Sequence, residues 1–152
     1  MKVHVVYDSA YGNTEVVATA IADVLRSSHE VVLYRVDLAA PEALVPGDVL
    51  VVGSPTQGGR ATPALDRFLA HLPDSVLEGL SVATFDTRLA ARWVRMFGYA
   101  APRMAKALVL RDAVPLAPAE GFLVEGREGP LVAGERERAA QWAAGLALPV
   151  TH

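Results

Sequence analysis

Four consecutive apolar residues, Val49-Leu50-Val51-Val52, stand between Asp48 and Gly53 with no polar side chain to offer to water. Side chains along a strand point alternately to opposite faces, so a strand of this composition has to be covered on both. Residues 3–7 form another short, β-branched run, and residues 31–36 and 80–85 read as two more. Stripes of helical period separate them: Val17, Ala20, Ile21, Val24 and Leu25, then Leu65, Phe68, Leu69 and Leu72, then Ala101, Met104, Ala105 and Leu108. Thr62-Pro63 supplies an N-cap and a first-turn proline for the second stripe, and Pro73 bars its continuation.

Residues 113–117 and 122–124 read as two pieces of a fifth strand, and Ala139, Trp142, Ala143 and Leu146 mark a last helix. Pro41 and Pro46 punctuate a loop or short helix before the third strand. Strands alternating with helices imply right-handed crossovers and a parallel sheet. The expected fold is α/β: one domain over residues 1–152, a doubly wound five-stranded parallel sheet of order 2-1-3-4-5 with helices on both faces. In that order ligands sit beyond the carboxyl ends of the strands at the switch point, so the residues after strands one, three and four are where chemistry is sought.

Composition narrows the chemistry. The 152 residues include no cysteine, which excludes disulfides, iron–sulfur ligation and thiol nucleophiles. A net charge of −3 gives no footprint for nucleic acid. No apolar run reaches the roughly 20 residues of a membrane span, and the first residues lack a signal-peptide layout, so a cytoplasmic address is expected. His4, His29, His71 and His152 are scattered without a ligand spacing, so no metal site is expected.

The loop after the first strand carries the strongest signal. Ser9, Asn13 and Thr14 place two hydroxyls and an amide around a turn that opens directly into a helix, and Gly12 permits close backbone approach. A helix N-terminus adds free N–H groups and the positive end of a dipole. The pattern suits a phosphomonoester held by neutral donors, since there is no P-loop lysine and no dinucleotide GxGxxG. The competing reading is that Asn13 and Thr14 merely cap the helix.

The run Val5-Val6-Tyr7-Asp8-Ser9-Ala10-Tyr11-Gly12-Asn13-Thr14, followed by Ala18 and Ile21, resembles the flavodoxin signature at each constrained position. That resemblance implies that Ser9, Ala10, Tyr11, Gly12, Asn13 and Thr14 wrap the phosphate of FMN. The second loop, Gly53-Ser54-Pro55-Thr56-Gln57-Gly58-Gly59, is similar to the flavodoxin segment lining one side of the isoalloxazine ring, which brings in Ser54, Pro55, Thr56, Gln57, Gly58 and Gly59. Phe85, Asp86, Thr87 and Arg88 open a third loop that resembles the family's remaining flavin-contacting segment. The later stretch through Phe122, Gly126, Gly129-Pro130 and Glu135 is also similar to a subgroup of that family.

The family often flanks the flavin with a tryptophan and a tyrosine. This second loop offers Gln57 instead, leaving Tyr11, Trp93, Phe97 and Tyr99 as candidate aromatic partners, with Trp93 favoured from its place in the third loop. Arg60, Arg88, Arg92, Arg95 and Arg103 replace the acidic surround typical of the family; either their field favours a reduced flavin anion, or they form a solvated face in a chain where arginine outnumbers lysine twelve to two. The resemblance implies a small FMN-dependent electron carrier with a redox partner protein and no acid–base catalytic residue. The alternatives are an FMN-dependent reductase of quinone-like substrates and a module that keeps the fold without the flavin.

Overall fold

The computed structural model describes residues 1–149, and the side chains of Arg92, Trp93 and Val94 lie outside what it describes. Six strands form one sheet: β1 (Lys2–Tyr7), β2 (Glu30–Arg35), β3 (Val49–Pro55), β4 (Ser81–Leu89), β5 (Val114–Pro115) and β6 (Glu120–Val124). Among the described residues five α-helices accompany them: α1 (Asn13–Leu25), α2 (Pro63–Ala70), α3 (Asp74–Leu77), α4 (Ala100–Val109) and α5 (Glu135–Ala144). The strand order is β2-β1-β3-β4-β5, all parallel, with β6 pairing further along β4. The fifth position of the sheet is therefore filled by two pieces, as the sequence pattern implies.

Alternation along the central strands divides the core in two. Val3, Val5, Tyr7, Val49, Val51, Ala83 and Phe85 face α1 and α5, whose Val17, Ile21, Ala139 and Ala143 are buried against them. Val6, Leu50, Val52 and Val82 face the other way, onto Leu65, Phe68, Met104 and Leu108 of α2 and α4. Both faces of β3 are fully covered, and each buried Val or Leu contributes about 1.5–3 kcal/mol. β2 forms one edge of the sheet and is only half-buried.

The helix starts follow their local chemistry. Thr62 accepts a hydrogen bond from the Leu65 N–H, with Pro63 as the first helical residue of α2. α4 has no side-chain cap of its own: Thr56 Oγ1 accepts from Ala100 N–H at 3.0 Å and Asp86 Oδ2 from Ala101 N–H at 2.9 Å. The strand β4 runs to Leu89, past the expected end at Phe85, because residues 85–89 pair in register with β6. The polar run Asp86-Thr87-Arg88 is thus strand, not loop.

Candidate functional site

Beyond the carboxyl ends of β1, β3 and β4 lies a cleft of about 750 Å³, within the range of small-molecule and cofactor sites. Its wall includes Ser9, Ala10, Tyr11, Asn13 and Thr14 around the first loop, Pro55 at the end of β3 with residues 56–59 after it, Thr87 and Leu89 at the end of β4, and Phe97 beyond it. Val124 and Arg127 close it from the C-terminal third of the chain.

The first loop presents backbone donors at the start of α1. Gly12 adopts φ +91°, a left-handed conformation, and its N–H donates to Ser9 Oγ at 2.9 Å. It caps α1 without any side-chain hydrogen bond, and the first intrahelical bond runs from Val16 N–H to Gly12 O at 3.1 Å. The N–H groups of Asn13, Thr14 and Glu15 consequently have no acceptor within the helix. A negatively charged group at this terminus would satisfy them and meet the favourable end of the dipole. Thr14 Oγ1 lies 2.7 Å from Thr87 Oγ1, which joins the first loop to the end of β4.

Two further contacts set the walls. Gly59 has φ +81°, and a Cβ placed on it would stand 1.9 Å from the Phe97 carbonyl oxygen, so the second and third loops touch backbone to backbone. On the opposite side, residues 125–130 form a tight hairpin, with Glu125 N–H on Pro130 O at 2.9 Å and Gly129 N–H on Gly126 O at 3.0 Å. Asn13 Nδ2 donates to Glu128 O at 3.1 Å, and a Cβ on Gly129 would meet the Asn13 amide at 2.6 Å. This packing carries Arg127 to the first loop. The sequence gives no lysine there and points to neutral donors alone. A cation reaches the cleft from 113 positions beyond Thr14, where local pattern has no means of announcing it.

Several expected residues support the cleft without lining it. Phe85 is fully buried against Phe122 and Trp142, at centroid separations of 6.3 and 6.2 Å. Ser54 is fully buried too and accepts from Thr62 N–H at 3.0 Å. Asp86 is wholly buried and holds the Arg88 guanidinium through two hydrogen bonds of 2.7 and 2.8 Å. Burial pushes the Asp86 carboxyl up from its ordinary value, while Arg88, the Ala101 N–H and Thr56 act in the opposite direction. Arg88 also lies 3.6 Å above the Tyr99 ring, and a Cβ on Gly121 would collide with it. Its charge is therefore compensated, which removes Arg88 from the set expected to bias a bound flavin. Gly12 shapes the loop through its backbone. The Trp93 side chain falls outside the described residues. Among the described residues, Tyr11 and Phe97, each about half exposed, are the aromatic residues that line the cleft.

Polar groups sit around the first loop, and apolar surfaces of Pro55, Leu89, Phe97 and Val124 line the rest. That combination suits an elongated guest with an anionic end and a flat apolar body. Among the described residues there is no group of three or more His, Cys, Asp or Glu placed to hold a metal, and no helix is long and apolar enough to cross a membrane.

Residues 4–112 match the family model described as "Flavodoxin domain". A flavodoxin from the domain Archaea shares 21% identity over 94% of both chains, with a TM-score of 0.79. Oxidised flavodoxin 2 from Bacillus cereus shares 25% over 95% of this chain and 96% of the other, with a TM-score of 0.74. Rubredoxin oxygen:oxidoreductase from Desulfovibrio gigas shares 20% over 96% of this chain but 35% of its own, with a TM-score of 0.73. No curated protein matches the chain.

Proposed function

This chain belongs to the flavodoxin domain family, and from that premise we propose that it binds FMN and acts as a small electron-transfer carrier. One observation carries the reading. The N-terminal amides of α1, which have no acceptor within the helix, open with Ser9, Thr14 and Thr87 onto a cleft of cofactor size that no described side chain fills. A module that had abandoned its cofactor would have no reason to keep that space open against the usual gain from packing.

The residues fit the group in a definite way. Asn13, Thr14 and Glu15 N–H, the Ser9 and Thr14 hydroxyls and Arg127 would hold the phosphate; Tyr11 and Phe97 would flank the ring, and residues 56–59 would meet its edge. FMN, when bound, supplies the redox chemistry, and the protein supplies binding, orientation and field. No acid–base residue is needed. Asp86, the buried carboxylate nearest the cleft, is fully engaged by Arg88 and the start of α4.

The test is a visible absorbance scan of the purified protein, repeated after adding FMN and removing the excess. Retained bands near 370 and 450 nm, roughly those of the oxidised cofactor, are expected. A folded protein that retains no flavin would overturn the proposal. Turnover of NAD(P)H with a quinone would move the assignment from carrier to reductase.

A further inference from the structure

We propose that the Arg60–Phe97 side of the cleft mouth, continued by the groove between α2 and α4, is a docking surface for an acidic redox protein. The inference rests on the carrier reading above and adds the chemistry of the partner.

Charge is distributed unevenly along this chain. Residues 56–112 hold eight Lys and Arg against five Asp and Glu, whereas the remainder holds six against twelve. Within the first set, Asp86 neutralises Arg88 and Asp74 pairs with Arg111 at 2.8 Å. The fold gathers Arg60, Arg103 and Lys106 on one face, where they line the groove between α2 and α4, which pack on the same side of the sheet. Arg60, Arg95 and Lys106 are exposed and have no carboxylate within ion-pair distance among the described residues. Arg103 spends one donor on the Phe97 carbonyl at 3.0 Å and likewise faces no acid among them.

The second observation is the apolar surface inside this basic rim. Met96 is 84% exposed and Phe97 51%, and Phe97 lines the cofactor cleft itself. Leu110, 74% exposed, lies at the far end of a groove of about 870 Å³ whose wall includes Arg60, Arg103, Lys106 and Asp66. Arg60 follows Gly59 of the cleft directly, so cleft and groove are one continuous surface. An apolar centre with a charged rim is the anatomy of a transient protein interface, and a basic rim selects an acidic partner through the encounter rate. The surface is concave and carries Asp66 in its wall, which favours a protein over the flat face of an anionic membrane. In each encounter the reduced partner gives up one electron and the bound flavin gains it, with no bond made or broken.

The test uses the whole chain, isotope-labelled, with flavin loading measured separately by absorbance. The acidic probe is an oxidised plant-type [2Fe–2S] ferredoxin, titrated at about 20 and about 200 mM salt. Amide signals of residues 58–61 and 95–104 are expected to shift or broaden, and the dissociation constant to rise about tenfold with the added salt. Arg60→Glu combined with Arg95→Glu is expected to weaken ferredoxin about tenfold further while FMN affinity stays within about twofold. Four outcomes overturn the proposal: no ferredoxin binding, binding mapped to α1 and α5, indifference to the charge reversals, or anionic vesicles engaging these residues where ferredoxin does not. Failure to take up FMN with ferredoxin docking intact would instead overturn the carrier reading alone.

Discussion

The hydroxyls of Thr14 and Thr87 stand 2.7 Å apart across 73 positions of sequence, and both border the cleft. One begins the first helix and the other lies near the end of the fourth strand. Their hydrogen bond fixes the first loop against the sheet at the point where the anionic end of a cofactor would sit.

Thr14→Ala is therefore expected to weaken FMN about tenfold to a hundredfold, the scale of a hydrogen bond to a charged group, while riboflavin loses little. Fluorescence titration with both ligands reads the difference. Equal losses for the two would mean that the anion-binding end is misplaced.

Arg127 lines the same cleft and would add a charge at that end. Arg127→Gln is expected to lower FMN affinity about five- to fiftyfold and leave riboflavin unchanged. It is also expected to flatten the fall of FMN affinity with added salt. A variant with the wild-type salt dependence would show that the guanidinium does not reach the ligand.

Gly59 and Gly58 make a matched pair of probes. Both have positive φ, but a Cβ on Gly58 meets nothing within 4 Å, whereas one on Gly59 meets the Phe97 carbonyl at 1.9 Å. Gly58→Ala is expected to cost about 1–2 kcal/mol, the ordinary cost of a left-handed alanine. Gly59→Ala adds a backbone collision, and its thermal midpoint is expected to fall at least about 4 °C below that of Gly58→Ala. Similar midpoints would show that the two loops separate freely.

Asp48 gives the pH dependence a definite sign. Burial would raise its carboxyl, but hydrogen bonds from Lys2 N–H, His4 and Val45 N–H outweigh that and hold it below the usual carboxylate value. A depressed folded pKa contributes stability that is complete above the unfolded value near 4 and is lost as pH falls through the folded one. Asp48→Asn is expected to cost about 1–3 kcal/mol at neutral pH, from buried hydrogen bonds lost. Urea unfolding at neutral pH and again below about pH 4 should show a shallower acid decline than in the wild type. An unchanged decline would place the acid sensitivity in other carboxylates.

The frame of this protein was legible because its signals are local. The apolar run of β3, the Thr62-Pro63 start of α2 and the split fifth strand each rest on neighbouring residues, and each lies where expected. Phe85 and Asp86 were harder to place, since β4 continues beyond its apolar stretch and only the pairing with β6 reveals it. Asp86 and Arg88 read as polar loop residues until the fold buries one and stacks the other on Tyr99. Arg127 carries no mark in its own neighbourhood, because its meaning comes from Asn13 on the far side of the chain.

That same contact between Asn13 and the hairpin at Glu128 makes the cleft a seam between distant parts of the chain. One wall stands at the start of α1, while Val124 and Arg127 in the facing wall lie 110 and 113 positions beyond Thr14. A guest held between them would staple the two together, slowing the opening of the hairpin while leaving the central sheet as it was.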